Sequence, residues 1–192
     1  MKINYIKNKK SDASCCIINS SSRILIIGTS GSGKTSFAEL ICKKHNLHNI
    51  ELDSLFWKAN WIESENEEFR IRIKEEIYNK TGYVINGNYN KVKDITWGNC
   101  DTIIWLDYSR FIVMYRVIKR TLIRVFTKEL LWQGNIETFK KSFLSKESVI
   151  IWAWKTYFIR KKQYTDLIKT NPYNNNQFIV IRNPRLIHKL LI

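Results

Sequence analysis

Arg23-Ile24-Leu25-Ile26-Ile27-Gly28-Thr29-Ser30-Gly31-Ser32-Gly33-Lys34-Thr35-Ser36 is the stretch on which the reading of this chain turns. After Arg23 it opens with a short apolar run rich in β-branched side chains, the pattern of a central parallel strand buried on both faces. Gly28–Thr35 then matches G-x-x-x-x-G-K-[ST], which a chain of this length meets by chance about one time in a hundred at ordinary residue usage. Glycines remove Cβ atoms, so that successive backbone N–H groups turn inward around a phosphate. A helix opening directly behind them adds partial positive charge. In such a loop Lys34 reaches the β- and γ-phosphates of ATP and the Thr35 hydroxyl faces Mg²⁺. The nucleotide-binding residues expected from this stretch are Gly28, Thr29, Ser30, Gly31, Ser32, Gly33, Lys34, Thr35 and Ser36.

The required context surrounds the motif. A helical pattern runs from Lys34 to His45, with Phe37, Leu40 and Ile41 on one face. Further strands are expected over Asn49–Asp53, Tyr83–Asn86, Asp101–Asp107 and Gln177–Arg182. Helices are expected over Glu63–Lys80, Ser109–Phe126, Ile136–Phe143, Lys146–Lys169 and Pro184–Leu191. Strands alternating with helices argue an α/β fold, a parallel sheet with helices on both faces. Residues 1–22, rich in Lys, Asn and Ser, read as a flexible N-terminal extension of a domain over 23–192.

The 192 residues carry a formal net charge of +15, and its distribution is uneven. Residues 1–22 contribute +3, residues 23–109 contribute −1, residues 110–170 contribute +10 and residues 171–192 contribute +3. The charge fits a nucleic-acid partner or an enzyme handling polyphosphate. Cys15, Cys16, Cys42 and Cys100 have no C-x-x-C spacing, which argues against a zinc site, and a chain of this size needs no disulfide framework. No apolar run is long enough for a membrane span, and the basic N-terminus lacks an apolar core of signal-peptide length, so a reducing cytoplasm is the expected setting. The N-K-x-D guanine signature is absent, since Asn90-Lys91-Val92-Lys93-Asp94 has the wrong spacing, and the chain is short for a motor domain. Small-molecule kinase geometry is favoured.

From Arg23 to Ile192 the chain resembles the adenylate-kinase-like group of P-loop kinases, and more narrowly the bacterial DNA topology modulation proteins. The resemblance rests on Arg23–Ser36, on Glu51-Leu52-Asp53-Ser54-Leu55-Phe56-Trp57 with Asn60-Trp61, on Asn86-Gly87-Asn88-Tyr89 and on Ile104-Trp105-Leu106-Asp107. It implies a P-loop NTPase fold with a five-stranded parallel sheet and a helical lid over about residues 110–170. Glu51 and Asp53, two apart at a strand end, resemble the paired acids that hold Mg²⁺-bound water or orient an acceptor hydroxyl; Asp53 is the expected general base or metal-shell ligand. Asp107 resembles a Walker B acid, a Mg²⁺ ligand, with capping of the following helix as the other reading. Arg116 and Arg120 are spaced like the arginines at the adenylate kinase lid entrance and Arg124 continues their row, with a solvated basic face as the other reading; Arg160 is a candidate second clamp from the far side. Trp57, Trp61, Asn88 and Tyr89 would flank the acceptor at the second and third strand ends, or serve as core. Arg182-Asn183-Pro184 resembles the loop holding the adenine ring.

The activity these features imply is transfer of the ATP γ-phosphate, with Mg²⁺, to a small molecule or nucleotide. The alternative is a nucleic-acid-associated ATPase of the DNA topology modulation type, supported by aromatics within the basic 110–170 block but lacking a DNA-reading motif, so that any contact to nucleic acid is indirect. A third class is an amphipathic helix, Phe111–Phe126, lying on an anionic membrane surface, although a lid helix has the same pattern.

Overall fold

The computed structural model describes residues 2–6, 18–139, 142–143, 145, 148–175 and 177–190. Six strands form one wholly parallel sheet: β1 (Lys2–Ile6), β2 (Arg23–Gly28), β3 (His48–Glu51), β4 (Tyr83–Asn86), β5 (Thr102–Leu106) and β8 (Gln177–Ile181), in the order β1-β8-β5-β2-β4-β3. The expected five strands are thus corrected to six. Lys2–Ile6, assigned above to a flexible extension, pairs in register with β8 from Lys2↔Gln177 to Ile6↔Ile181. Without it the backbone groups of β8 would line an open edge, and a strand mixing Ile3 with Lys2 and Asn4 suits that border position. Cys15 and Cys16 lie outside the described residues. Cys42 and Cys100 are buried free thiols.

Side chains alternate across a strand, and β2 divides between two cores accordingly. Ile24 and Ile26 face a core with Phe37 and Ile41 of helix α1 (Lys34–His45), Val113 and Val117 of α5 (Arg110–Thr127), and Ala153 and Tyr157 of α6 (Val149–Thr170). Leu25 and Ile27 face the opposite core, with Phe69 and Ile73 of α3 (Asn66–Ile77) and Tyr164 and Ile168 of α6. Each fully buried aliphatic side chain contributes about 1.5–3 kcal/mol. The continuous apolar run of β2 is what two covered faces demand.

Local departures from expectation reshape the site. The second expected strand, Asn49–Asp53, ends at Glu51, and the chain winds at once into the short helix α2 (Leu52–Phe56). Glu51 therefore closes a strand while Asp53 sits in the first helical turn, so the shared strand face inferred for the pair does not exist. The helix expected over Ile136–Phe143 is not formed at its start: β6 (Leu130–Leu131) and β7 (Asn135–Ile136) make an antiparallel hairpin. Residues 140 and 141 of that segment lie outside the described ones. Helix α4 (Lys93–Gly98) precedes β5. The closing helix is a 3₁₀ segment, Pro184–Leu190.

Candidate active site

Strand β2 lies between β4 and β5, so the chain order reverses around it and a crevice opens at its carboxyl end, where open α/β sheets bind ligands. The loop Gly28–Gly33 fills that crevice and leads into α1. Gly31 and Gly33 have φ of 79° and 87°, a region that side-chain-bearing residues rarely enter. A Cβ at Gly31 would stand 2.4 Å from Val117 Cγ2 and 2.8 Å from the Val113 carbonyl oxygen, so α5 packs directly on the loop. Gly31→Ala is expected to lower stability by about 1–3 kcal/mol through this overpacking, read as a fall in melting temperature; an unchanged melt would show that α5 yields freely.

Lys34 folds back on its own loop, Nζ donating to the carbonyls of Gly28 and Thr29 at 3.1 Å each. Burial pushes its pKa from the ordinary 10.5 down to about 8, with the charges of Arg160 and Arg120 adding to the drop and those of Asp53 and Glu51 opposing it. The folded pKa lies below the unfolded one, so the folded state binds fewer protons between pH 8 and 10.5 and stability rises with pH across that window. A bound polyphosphate reverses the shift. Nucleotide binding above pH 8 is therefore expected to take up a proton and to weaken as pH rises. Calorimetry in buffers of different ionisation enthalpy measures this, and zero uptake at about pH 8.5 would contradict the assignment of Lys34 to phosphate.

Two arginines reach the loop from α5. Arg116 Nη1 donates to the Ser32 carbonyl at 3.3 Å, and Arg120 Nη2 to Ser30 Oγ at 3.4 Å. Arg124, one turn on, is held instead by Glu137 at 3.1 Å and Glu129 at 3.6 Å. Burial and the charge of Arg124 lower the Arg120 pKa, with Glu137, Asp53 and Glu129 opposing. Arg160 of α6 donates to the Asn88 carbonyl at 3.1 Å, while the Asn88 amide donates to Tyr164 Oη at 3.0 Å.

The Thr35 hydroxyl meets Glu51 Oε1 at 3.2 Å and Asn86 Oδ1 at 3.3 Å. Register explains this: Glu51 and Asn86 are Cα partners at the ends of β3 and β4, on one side of β2. Asp53 accepts a hydrogen bond from the Tyr89 phenol. Burial, with the negative charge of Asp53, raises the Tyr89 pKa far above its ordinary value and keeps the phenol a donor. Among the described residues no group of three or more His, Cys, Asp and Glu gathers as a metal cluster. Asp107 is on the other side of β2: its Oδ1 is 2.8 Å from Lys161 Nζ and its Oδ2 3.3 Å from Arg182 Nε. Asp107, expected as a metal ligand or a helix cap, is thus ion-paired on both carboxylate oxygens. Arg182, expected at the adenine, spends its guanidinium on Asp107 and over the Tyr5 ring, 5.2 Å from the ring centroid.

Of the aromatics expected to flank the acceptor or serve as core, Trp57 and Trp61 meet each other, while Tyr89 packs on Phe56 and Phe69. Trp57 and Trp61 meet edge to face with centroids 5.6 Å apart, and Trp61 meets Trp132 of the hairpin at 6.2 Å. Trp132 Nε1 donates to Glu51 Oε2 at 3.0 Å. Buried Asn135 accepts from the Trp61 backbone N–H at 2.8 Å and donates to the Lys58 carbonyl at 2.9 Å, which docks the hairpin on the 57–61 loop. Glu51 as the Thr35 partner, Asn86, Trp132 and Tyr164 were not assigned from sequence. For Asn86 a signal existed, its place at a strand end before Gly87; for Trp132 none did. Ser36 is exposed on the first turn of α1.

A crystal structure of a gluconokinase from Sinorhizobium meliloti 1021 superposes with a TM-score of 0.52 over 91% of both chains, at 16% identity. The fold is that of a P-loop kinase. The energy-coupling factor transporter ATP-binding protein EcfA2 of Mycoplasmopsis pulmonis (strain UAB CTIP) is 35% identical over 101 residues, which is 48% of this chain and 30% of that protein. The chain therefore spans under a third of that relative's length. No protein-family model matches. The structural likeness shows the fold, and both likenesses agree with a phosphate-binding loop at Gly28–Thr35.

The residues fit ATP and Mg²⁺. At the loop Ser32 Oγ and Arg120 Nε are buried with no hydrogen-bond partner, and Thr35 with Glu51 offers a hydroxyl and a carboxylate side by side.

Proposed function

We propose that this protein is an ATP-dependent phosphotransferase that moves the γ-phosphoryl group to a hydroxyl-bearing small molecule or nucleotide. The observation that carries the reading is the convergence on one loop of Lys34, the two α5 arginines on Ser30 and Ser32, and Asp53 close enough for its charge to act on both Lys34 and Arg120. A loop that only anchors nucleotide needs no carboxylate held ready on the acceptor side.

In this reading the phosphates occupy the Gly28–Thr35 loop, and Lys34 leaves the two loop carbonyls for them. Thr35 and Glu51 would hold Mg²⁺, which neutralises phosphate charge when bound. Arg116 and Arg120 supply donors for the transferring group from the lid side. Asp53, oriented by Tyr89, accepts the proton of the attacking hydroxyl; the new O–P bond forms as the bond to the ADP oxygen breaks. Trp57, Trp61 and Trp132 form an apolar wall beside Glu51 for an acceptor with a flat or apolar face.

The test is phosphate transfer from γ-labelled ATP across nucleosides, nucleotides and hydroxy acids. Label on one acceptor class, dependent on Asp53, supports the proposal. ATP turned over with no acceptor labelled would reduce the protein to an ATPase, and untouched ATP would refute the reading.

A further inference from the structure

Helix α5 carries apolar side chains on two faces, one buried and one exposed. Its Arg116 and Arg120 point to the phosphate loop, and Val113 and Val117 enter the core. The remaining arc carries Phe111, Tyr115, Ile118, Leu122, Val125 and Phe126, with Phe111 88% and Phe126 79% exposed. At 1.5 Å per residue this ridge is about 22 Å long. The first turns of α6 extend it sideways: Trp154 and Phe158 are exposed, and the Arg110 guanidinium lies 3.2 Å from the Trp154 ring centroid and 5.0 Å from that of Phe158. A patch of this kind marks a partner surface.

The charges around the ridge select the partner. Lys119, Lys128, Lys155 and Lys162 are exposed along its borders. Helix α5 has no acidic residue, and the carboxylates nearest in sequence are ion-paired, Asp107 with Lys161 and Arg182 and Glu129 with Arg124. The one acid of α6, Asp166, lies about two turns past Phe158. Self-pairing of two copies about the middle of α5 would set Lys119 near its own copy with no carboxylate on the face to offset it. Nucleic acid would use the rings and lysines, but Ile118, Leu122 and Val125 would gain nothing from bases or phosphates. An apolar strip with interfacial aromatics and flanking lysines matches acyl chains beneath anionic headgroups.

We infer that the outer face of α5, with Trp154 and Phe158 of α6, is a docking surface for an anionic lipid bilayer, entered peripherally with the helix in the plane of the headgroups. Among the described residues no helix is long and apolar enough to cross a membrane, so the attachment is by one face only. The same helix presents its arginines to the phosphate loop, which would place phosphoryl transfer at the membrane surface.

Flotation of the whole chain with vesicles of phosphatidylcholine alone, and of equal parts phosphatidylcholine and phosphatidylglycerol, tests this. Binding is expected to the anionic vesicles, at least about tenfold above the neutral ones and weakened by salt. The double substitution Phe111→Ser with Phe126→Ser should lower it about tenfold or more, while ATP binding measured by calorimetry stays at the parent value and certifies folding. Lys119→Glu with Lys155→Glu should remove the preference for anionic lipid even if the first variant fails to fold. No binding to anionic vesicles, equal binding to neutral ones, a lipid-free dimer that Phe111→Ser with Phe126→Ser dissociates, or single-stranded DNA binding lost by that variant without any vesicle binding would each overturn the inference.

Discussion

Replacing Lys34 with alanine is expected to lower phosphate transfer from ATP by about 10²–10³-fold, the usual cost of removing one aimed donor from a developing phosphate charge. The fold should survive, and the melting temperature should stay level or rise. Without nucleotide the lysine is a desolvated cation satisfied only by the Gly28 and Thr29 carbonyls, with a pKa pushed down to about 8. Alanine removes that desolvated charge, so a residue proposed to serve catalysis carries a stability cost. Turnover and thermal melting on the same preparation check both halves. Undiminished transfer would dismiss Lys34 from the chemistry, and a collapse in stability would show that its two carbonyl bonds hold the loop together.

The second large effect falls on Asp53. Asp53→Asn should lower kcat by about 10²–10⁴-fold, the range for loss of a positioned general base, with ATP affinity changed no more than a few-fold. The proposal of a base over a metal role rests on its observed partner, the Tyr89 phenol, whereas Thr35 turns to Glu51 and Asn86. Tyr89→Phe removes only the orienting donor and should cost about tenfold in kcat, near the value of one hydrogen bond to a charged group. Single-turnover measurements separate chemistry from product release. An Asp53→Asn enzyme with unaltered kcat but a raised Mg²⁺ requirement would move Asp53 to the metal shell and leave the base elsewhere.

The parts legible in the sequence are those whose cause is local. Gly28–Thr35 can be read because a phosphate cradle needs particular residue types a fixed number of bonds apart, and Ile24–Ile27 because a doubly buried strand needs apolar side chains on both faces. The row of Arg116, Arg120 and Arg124 was legible as a helical face, but its division was not: the first two reach the loop and the third is neutralised by Glu137 and Glu129. Nothing within α5 distinguishes an arginine with a distant carboxylate from one without.

Asp107 shows the same limit from the other side. An acid at a strand end satisfies the Walker B pattern, yet whether that strand lies on the Thr35 side of β2 depends on sheet order. Here β3 and β4 lie on that side, and β5 on the other, where Lys161 and Arg182 take both carboxylate oxygens. Trp132 reaches Glu51 across 81 positions of chain, a pairing with no local signature.

The sequence by itself therefore determined a phosphate loop, an α/β order and a charge of +10 concentrated in residues 110–170, because each depends on residue type and short spacing. Tertiary structure alone decided how that charge is used. An amphipathic helix has two faces, and only packing says which turns inward; in α5 the arginine face met the loop, leaving the aromatic face in water. It also decided that Lys2–Ile6 closes a sheet edge, since a polar strand gains its place only when a neighbour offers unpaired backbone groups.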